Sequence, residues 1–419
     1  MKLESVNIGI IGLGYVGLPL AIEFGKKYKT IGYDINKTRI GELKSGHDKT
    51  NECSSAEIKA SEHLVISEKI ESLNSCNIFI VTVPTPINNH KQPDLDPLIQ
   101  ASAAIGKILK KNDLVIYEST VYPGATEEVC VPELEAASGF KLNHDFFVGY
   151  SPERINPGDK ARKLKNILKV TSGSTLEVGQ FVNQLYSQII DAGTHLASSI
   201  KVAEASKIIE NVQRDVNIAL INELHQIFTK LKIDTNEVIE ASATKWNFMK
   251  LFPGFVGGHC ISVDPYYLLH KSQESGYVPD LMRTAREIND SMPSFVVDNF
   301  LEHLIVRKIS PIDLKVVIFG FAFKENCPDF RNTKVYDLYL KMVRLGLRVQ
   351  IYDPVIDVSA AKEKYGIQIL DDMEAIDARV AFIAVGHDEF SGALQNKSFD
   401  YIYEFKKLDR QAAFIEGIK

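Results

Sequence analysis

The chain opens on a short, almost unbroken apolar run, Val6-Asn-Ile-Gly-Ile-Ile11, the pattern of a strand buried on both faces. A helical stretch to about Tyr28 follows, then a second strand, Thr30-Ile-Gly-Tyr-Asp34, that ends in an acid. Further strand-like runs come at 78–83, 114–118 and 146–149, with helical segments between them. Strands alternating with helices predict an α/β fold with a parallel, doubly wound sheet. From about 198 to 232 the period changes to that of one long helix. Val202, Ala205, Ile208, Ile209, Val212, Val216, Ala219, Leu220, Leu224 and Ile227 recur at helical spacing, and no Gly or Pro interrupts them. At 1.5 Å per residue such a helix spans ~50 Å, long for one domain. We expect it to bridge two domains and to offer a face for a homodimer partner; a single buried core helix is the plainer alternative.

Near residue 310 the alternation returns, in Leu314-Lys-Val-Val-Ile-Phe-Gly-Phe, Leu347-Arg-Val-Gln-Ile-Tyr-Asp353 and Ala378-Arg-Val-Ala-Phe-Ile-Ala-Val385. This reads as a second Rossmann-like domain that lacks the full glycine motif and binds another nucleotide. The expected organisation is therefore a dinucleotide-binding domain over 1–197, a helical central domain over 198–300 and a nucleotide-binding domain over 301–419.

Composition narrows the class without naming it. The 419 residues are 45% hydrophobic and 24% charged, with a net charge of −6 and mixed signs throughout, as in a globular protein that does not bind nucleic acid. No apolar run reaches the ~20 residues of a membrane span. No cleavage site follows the first apolar run, so a secretory signal is not expected. The five cysteines (53, 76, 130, 260 and 327) are scattered, with no CxxC pair, which argues for neither zinc nor disulfides and for a reduced, cytoplasmic setting.

Two segments carry chemistry. The first is Gly12-Leu-Gly14-Tyr-Val-Gly17, set between a strand and a helix, with Asp34 at the end of the next strand. The first glycine permits a tight turn, the second lets the backbone approach a pyrophosphate, and the third lets helix pack on strand. The helix N-terminus supplies N–H donors and a positive dipole end. Asp34 would take the ribose hydroxyls and repel a 2′-phosphate, favouring NAD over NADP. Arg39 lies nearby and pulls the other way, since it could meet a phosphate. The second segment is Phe252-Pro-Gly-Phe-Val-Gly-Gly-His-Cys-Ile-Ser-Val-Asp264. A lone cysteine is ordinarily a small buried hydrophobe. Here Gly257 and Gly258 leave room for a substrate, Pro253 and Gly254 shape a loop, and Asp264 follows. Cys260 is the candidate nucleophile. Cys327, beside a basic loop, is a weaker one.

Seven motifs in order then carry a resemblance: 12–19, Val-Pro-Thr-Pro at 83–86, Glu-Ser-Thr-Val-Tyr-Pro-Gly-Ala-Thr at 118–126, Ser-Pro-Glu-Arg at 151–154, Ala-Glu-Ala-Ser-Lys-Ile-Ile-Glu-Asn at 203–211, Gly-Gly-His-Cys-Ile-Ser-Val-Asp-Pro-Tyr-Tyr-Leu at 257–268, and Phe-Lys-Glu-Asn-Cys-Pro-Asp-Phe-Arg-Asn at 323–332. Over nearly its whole length the chain resembles the UDP-glucose/GDP-mannose dehydrogenase family. The resemblance implies an NAD-dependent, four-electron oxidation of a UDP-sugar C6 hydroxyl to the acid. It makes Cys260 the nucleophile and sets Lys207 and Asn211 beside the reacting carbon, Lys207 stabilising an oxyanion. Thr120 and Asp264 would hold a water near the thioester, and Glu153 would direct water or relay a proton. Tyr15, Val16, Thr85, Thr120 and Arg331 join the glycines, Asp34 and Arg39 as cofactor contacts. Glu153, Arg154, Lys207, Asn211, Phe252, Gly254, Gly257 and Lys324 would meet substrate, and the loop from Leu251 to Gly258 would give backbone donors to the phosphates. Read alone, Lys207 is a solvated helix lysine, Asp264 a loop cap and Arg154 half of a structural ion pair.

One departure bears on the substrate. Many family members carry a second glutamate four residues after Ser-Pro-Glu, where this chain has Pro157. The form Ser-Pro-Glu-Arg-x-Asn-Pro-Gly resembles the branch acting on UDP-N-acetylhexosamines in bacterial surface-polysaccharide synthesis. UDP-glucose stays open as the substrate. A two-electron hydroxyacid-type dehydrogenase would share the N-terminal fold without needing Cys260. A non-catalytic NAD-binding protein would need none of Cys260, Lys207 and Asp264.

Overall fold

The computed structural model describes residues 2–88, 90–155, 162–258, 260–394 and 397–408. Pro157 therefore lies outside the described residues, as does His259 of the Gly-Gly-His-Cys motif. The chain divides into two compact units, residues 1–211 with 266–278, and residues 212–265 with 279–419.

The first unit is built on an eight-stranded sheet: β1 (Asn7–Ile11), β2 (Lys29–Tyr33), β3 (Leu64–Ser67), β4 (Ile78–Val81), β5 (Leu114–Tyr117), β6 (Phe147–Tyr150), β7 (Lys169–Gly173) and β8 (Thr194–Leu196), in the order β3-β2-β1-β4-β5-β6-β7-β8. β1 is central, paired in parallel with β2 and β4, and Ile8 to Ile11 are buried, so its apolar run has the cause assigned to it. Ile8, Ile10, Ile80 and Ile116 pack with Leu20 and Phe24 of the helix Gly17–Gly25 and with Val182 and Tyr186 of the helix Leu176–Ser187. The sheet is not wholly parallel: β6 and β7 run antiparallel, with Gly149 opposite Gly173 and Tyr150 opposite Ser172. A parallel pair needs a crossover, usually helical. Among the described residues between these strands there is only the short turn Leu164–Asn166. The helix Leu176–Ser187 then provides a crossover, and β8 lies parallel to β7.

In the second unit β9 (Lys315–Phe319), β10 (Arg348–Tyr352), β11 (Val380–Ile383) and β12 (Tyr401–Glu404) form an all-parallel sheet in the order β10-β9-β11-β12. The helix Asp280–Val306 crosses residue 300 and buries Met292, Val296, Val297, Phe300 and Leu304 in this sheet's core.

The long helix is Ile200–Leu231, 32 residues, and the boundary between the units falls within it. Its burial runs against simple amphipathic logic. Glu204, Lys207, Asn211, Asp215 and Asn222 are buried, whereas Val202, Ile209, Leu220 and Ile227 are exposed. The apolar positions read as one face thus divide between faces. No described helix is long and apolar enough to cross a membrane.

Candidate active site

The glycine turn after β1 fits a dinucleotide. Gly12 has φ +94°, a conformation that side chains rarely adopt. A Cβ on Gly17 would lie 1.9 Å from the Gly12 carbonyl oxygen, whereas one on Gly14 would meet nothing within 4 Å. The tight turn, the close helix–strand approach and the open backbone for a pyrophosphate are therefore each at their own glycine. The Thr82 hydroxyl donates to Gly12 O (2.7 Å) and braces the turn from β4. The helix Gly17–Gly25 has no acid in its first turn to compete with a phosphate. Asp34 sits just past β2, its carboxylate accepting from Leu13 N (2.8 Å) and Asn36 N (2.8 Å). Arg39 is placed differently from the expectation that it could meet a phosphate. Its side chain is buried, Nε donates to Leu13 O (2.8 Å), and a terminal nitrogen lies 2.8 Å from Asp48. It supports the glycine turn from behind. Thr85 presents its carbonyl to the Tyr267 hydroxyl at 2.9 Å.

In the same unit β5 and β6 end beside each other, Ser151 N donating to Tyr117 O at 2.9 Å. Beyond these ends stand Glu118, Ser119 and Thr120 on one side and Ser151 to Ile155 on the other. Thr120 is half-buried. Glu153 is buried, and one of its oxygens accepts from the N–H groups of Arg154 (2.5 Å) and Ile155. Arg154 pairs with Glu210 of the long helix (2.6 Å) and donates to Leu168 O, so its guanidinium has a structural use. Lys207 and Asn211 share a helix face and are 7% and 6% exposed, not solvated helix residues. One turn before Lys207, Glu204 accepts from Gly124 N (2.5 Å) and Thr126 N (2.9 Å), fixing the chain that follows Thr120. Burial pushes the Glu204 carboxyl up to about 7, against the lowering effect of those hydrogen bonds.

The second unit holds the thiol. Cys260 is half-buried and begins a turn in which its carbonyl accepts from Val263 N (3.1 Å) and Asp264 N (2.8 Å). Gly258, at φ +82°, donates its N–H to Arg331 O (3.1 Å), and Asn332 donates to Gly258 O (3.0 Å). A Cβ on Gly257 would come within 2.8 Å of Asn332 O, so this backbone approach requires glycine. The turn that carries Cys260 is thereby fastened to the loop that carries Lys324 and Arg331. Arg331 is engaged by both Asp329 oxygens, and the Lys324 ammonium lies over the Phe323 ring at 5.5 Å. Phe252 is exposed. Gly254 is clamped through both its N–H and its carbonyl by Asn222 (2.9 and 3.0 Å). From Asn222 a buried chain runs through Asn289 (2.8 Å) to Asp215 (2.8 Å) and on to Arg286 (2.6 Å). Burial pushes the thiols of Cys53 and Cys130 up to about 12 and that of Cys76 to about 11, and it raises Cys327 as well.

Of the expected residues, the structure sets Gly12, Gly14, Tyr15, Val16, Gly17, Asp34, Thr85, Thr120, Glu153, Arg154, Lys207 and Asn211 in the first unit. Phe252, Gly254, Gly257, Cys260, Asp264, Lys324 and Arg331 are in the second. The sequence reading assigned no role to Glu118, Lys169, Glu204, Asp215, Asn222, Arg286 or Asn289. The available signal was polarity inside apolar surroundings, as at Asn289 within a helix whose flanking turns bury Ala285 and Met292.

A glycine cradle with an acid at the next strand, and a single half-buried thiol on a glycine turn, define a dinucleotide-dependent oxidoreductase. Three matches cover the chain: the UDP-glucose/GDP-mannose dehydrogenase family NAD binding domain over residues 6–190, its central domain over 201–291 and its UDP binding domain over 317–408. The chain belongs to the UDP-glucose/GDP-mannose dehydrogenase family. It is an NAD-dependent enzyme, as the resemblance implied. It is 53% identical to a UDP-N-acetyl-D-glucosamine 6-dehydrogenase of Pseudomonas aeruginosa, over 93% of this chain and 92% of that protein. It is 50% identical to Protein CapL of Staphylococcus aureus, over 94% and 92%. Among solved structures, a UDP-D-ManNAc dehydrogenase from Pyrococcus horikoshii superposes with a TM-score of 0.85 at 30% identity, covering 98% of each chain.

Proposed function

We propose that this enzyme oxidises the C6 hydroxyl of UDP-N-acetylglucosamine, or its C4 epimer, to the carboxylate. NAD, when bound, accepts the hydride at each of two oxidations. Cys260 adds its sulfur to the C6 aldehyde, because a tetrahedral thiohemiacetal can give up a hydride where a free aldehyde cannot. The second oxidation leaves a thioester on Cys260, and water cleaves it to the acid and the free thiol. Lys207 offers its ammonium to the oxyanion, with Asn211 one turn on. Thr120 and Asp264 hold the water, and Glu153 takes its proton. The observation that carries this reading is the placement of Cys260: it is half-buried on a glycine turn fastened to the Arg331 loop, a setting that Cys53, also half-buried, and the buried Cys76, Cys130 and Cys327 lack. The P. aeruginosa relative and the absence of a second glutamate at Pro157 favour the N-acetylated sugar over UDP-glucose.

The enzyme works as a cytoplasmic homodimer supplying surface-polysaccharide synthesis. The dimer is supported by the exposed Leu220, which lines an apolar cavity of about 360 Å³ with Phe248, Met249 and Leu251. The test is an NADH assay across UDP-N-acetylglucosamine, UDP-N-acetylgalactosamine and UDP-glucose with mass analysis of the product. Two NADH per sugar and a C6 acid are expected, and Cys260→Ala should make no acid. One NADH with released aldehyde, or acid formation by Cys260→Ala, would overturn the mechanism.

A further inference from the structure

Lys169 opens β7 with its side chain buried, 3% exposed, at a place where a solvated lysine would be the ordinary choice. Its ammonium reaches Glu118 at 2.6 Å, the Pro152 carbonyl at 3.1 Å and the second oxygen of Glu153 at 3.5 Å, and it lies over the Tyr186 ring at 5.4 Å. The Tyr186 hydroxyl closes the arrangement by donating to the other Glu118 oxygen. Two donors, the Lys169 ammonium and the Tyr186 hydroxyl, are aimed at Glu118. Two carboxylates therefore share one ammonium inside the protein. Glu118 holds the nearer position, and the facing oxygen of Glu153 accepts no hydrogen bond from the described residues.

The antiparallel β6–β7 pair explains the geometry. It carries the chain beyond β6 alongside the start of β7, with the Ser151 hydroxyl on Val170 O (2.7 Å) and Arg154 on Leu168 O (3.0 Å). Lys169 thus lies directly under Pro152 and Glu153. Among the described residues, the charged and titratable groups facing Glu153 are Lys169 from β7, Glu118 from the end of β5 and Tyr186 from the helix Leu176–Ser187. Arg154, its neighbour, is turned to Glu210.

We infer that Lys169 is a positioning residue for the reaction, directing the Glu153 carboxylate, and that Glu118 sets the strength of that hold by competing for the same ammonium. The inference rests on Glu153 being the carboxylate that handles the proton. An uncompensated buried carboxylate would lose its charge, and Lys169 provides the compensation. Burial works against the ammonium, yet Glu118 and Glu153 together raise the Lys169 pKa above its usual value. Burial, the largest effect, also pushes Glu118 up, with Lys169 opposing.

The test reads the acid limb of the kcat/KM profile against pH in four variants of the full-length enzyme. Glu153→Gln should lower kcat by about a hundredfold or more and abolish the limb. Lys169→Met should move the limb up by about one pH unit, Glu118→Gln should move it down, and Lys169→Arg should restore it near the parent position. A purely structural ion pair would not give shifts of opposite sign. If Glu153→Gln keeps its kcat, the role given to Glu153 fails. If Glu153→Gln loses activity but neither Lys169→Met nor Glu118→Gln moves the limb, the inference about Lys169 fails alone. Should Lys169→Met not fold, the downward shift in Glu118→Gln decides.

Discussion

Asn222 is the residue through which the Gly254 loop is held, and replacing it tests whether that loop grips the nucleotide. In Asn222→Leu the side chain keeps its volume and loses both amide groups. Three buried groups then lack a partner: the Gly254 N–H, the Gly254 carbonyl and the Asn289 side-chain oxygen. Each unsatisfied group costs about 1–3 kcal/mol, and partial relaxation brings the total to about 4 kcal/mol. For a unit of roughly 200 residues this lowers the melting temperature by about 8–16 °C. Scanning calorimetry reads that change. Initial rates should show the KM for the UDP-sugar raised tenfold or more, because the loop's backbone donors lose their fixed direction. NAD affinity should stay within about twofold, since Gly12, Gly14, Gly17 and Asp34 belong to the other unit. A melting temperature within 2 °C of the parent would refute the stability argument. Destabilisation with an unchanged sugar KM would show that the clamp is structural and the loop does not bind phosphate.

Three further outcomes are expected. Gly17→Ala, whose Cβ would sit 1.9 Å from Gly12 O and 2.4 Å from the Thr82 hydroxyl, should weaken NAD binding at least about tenfold by fluorescence titration; unchanged affinity would show that the turn is not the pyrophosphate cradle. Glu204 carries a carboxyl raised from 4.5 to about 7, so between those values the folded chain keeps a proton that the unfolded chain has released. Stability contributed by this group therefore falls as pH rises through that window, by roughly 3 kcal/mol at most; Glu204→Gln should flatten the decline in melting temperature between pH 5 and 7.5, and parallel curves would refute it. Leu220→Glu places a charge on the exposed apolar face of the long helix and should give a monomer by light scattering, whereas an intact dimer would move the interface elsewhere.

What could be read from the sequence divides along a physical line. β1, β4, β5, β9 and β11 announced themselves because a strand buried on both faces must be apolar throughout, whereas the only partly buried β2 and β10 were read from shorter runs that end in Asp34 and Asp353. The glycine turn was legible because its spacing is dictated by backbone geometry, and Cys260 drew notice because glycines precede it. β7 begins on Lys169 and continues through Thr171 and Ser172, so no apolar run marks it, and its antiparallel pairing was not expected. The polar residues that the pattern missed are held by partners of their own. Lys169 is buried because two carboxylates are buried with it, and Asn222 because Gly254 needs both its backbone groups satisfied. Neither partner is near in sequence, so periodicity cannot find them. The long helix makes the point most sharply. Its polar residues, Glu204, Lys207, Asn211, Asp215 and Asn222, recur at helical spacing as a core stripe would. A reading that equates burial with apolarity misplaces these five residues, which are buried alongside Ala203, Ile208, Ala219 and Ile221. A buried polar stripe is tolerated when each member has a partner, and here Glu204 has Gly124 and Thr126, Asp215 has Arg286 and Asn289, and Asn222 has Gly254 and Asn289. Lys207 and Asn211 are buried on that same stripe, where periodicity alone puts solvated residues.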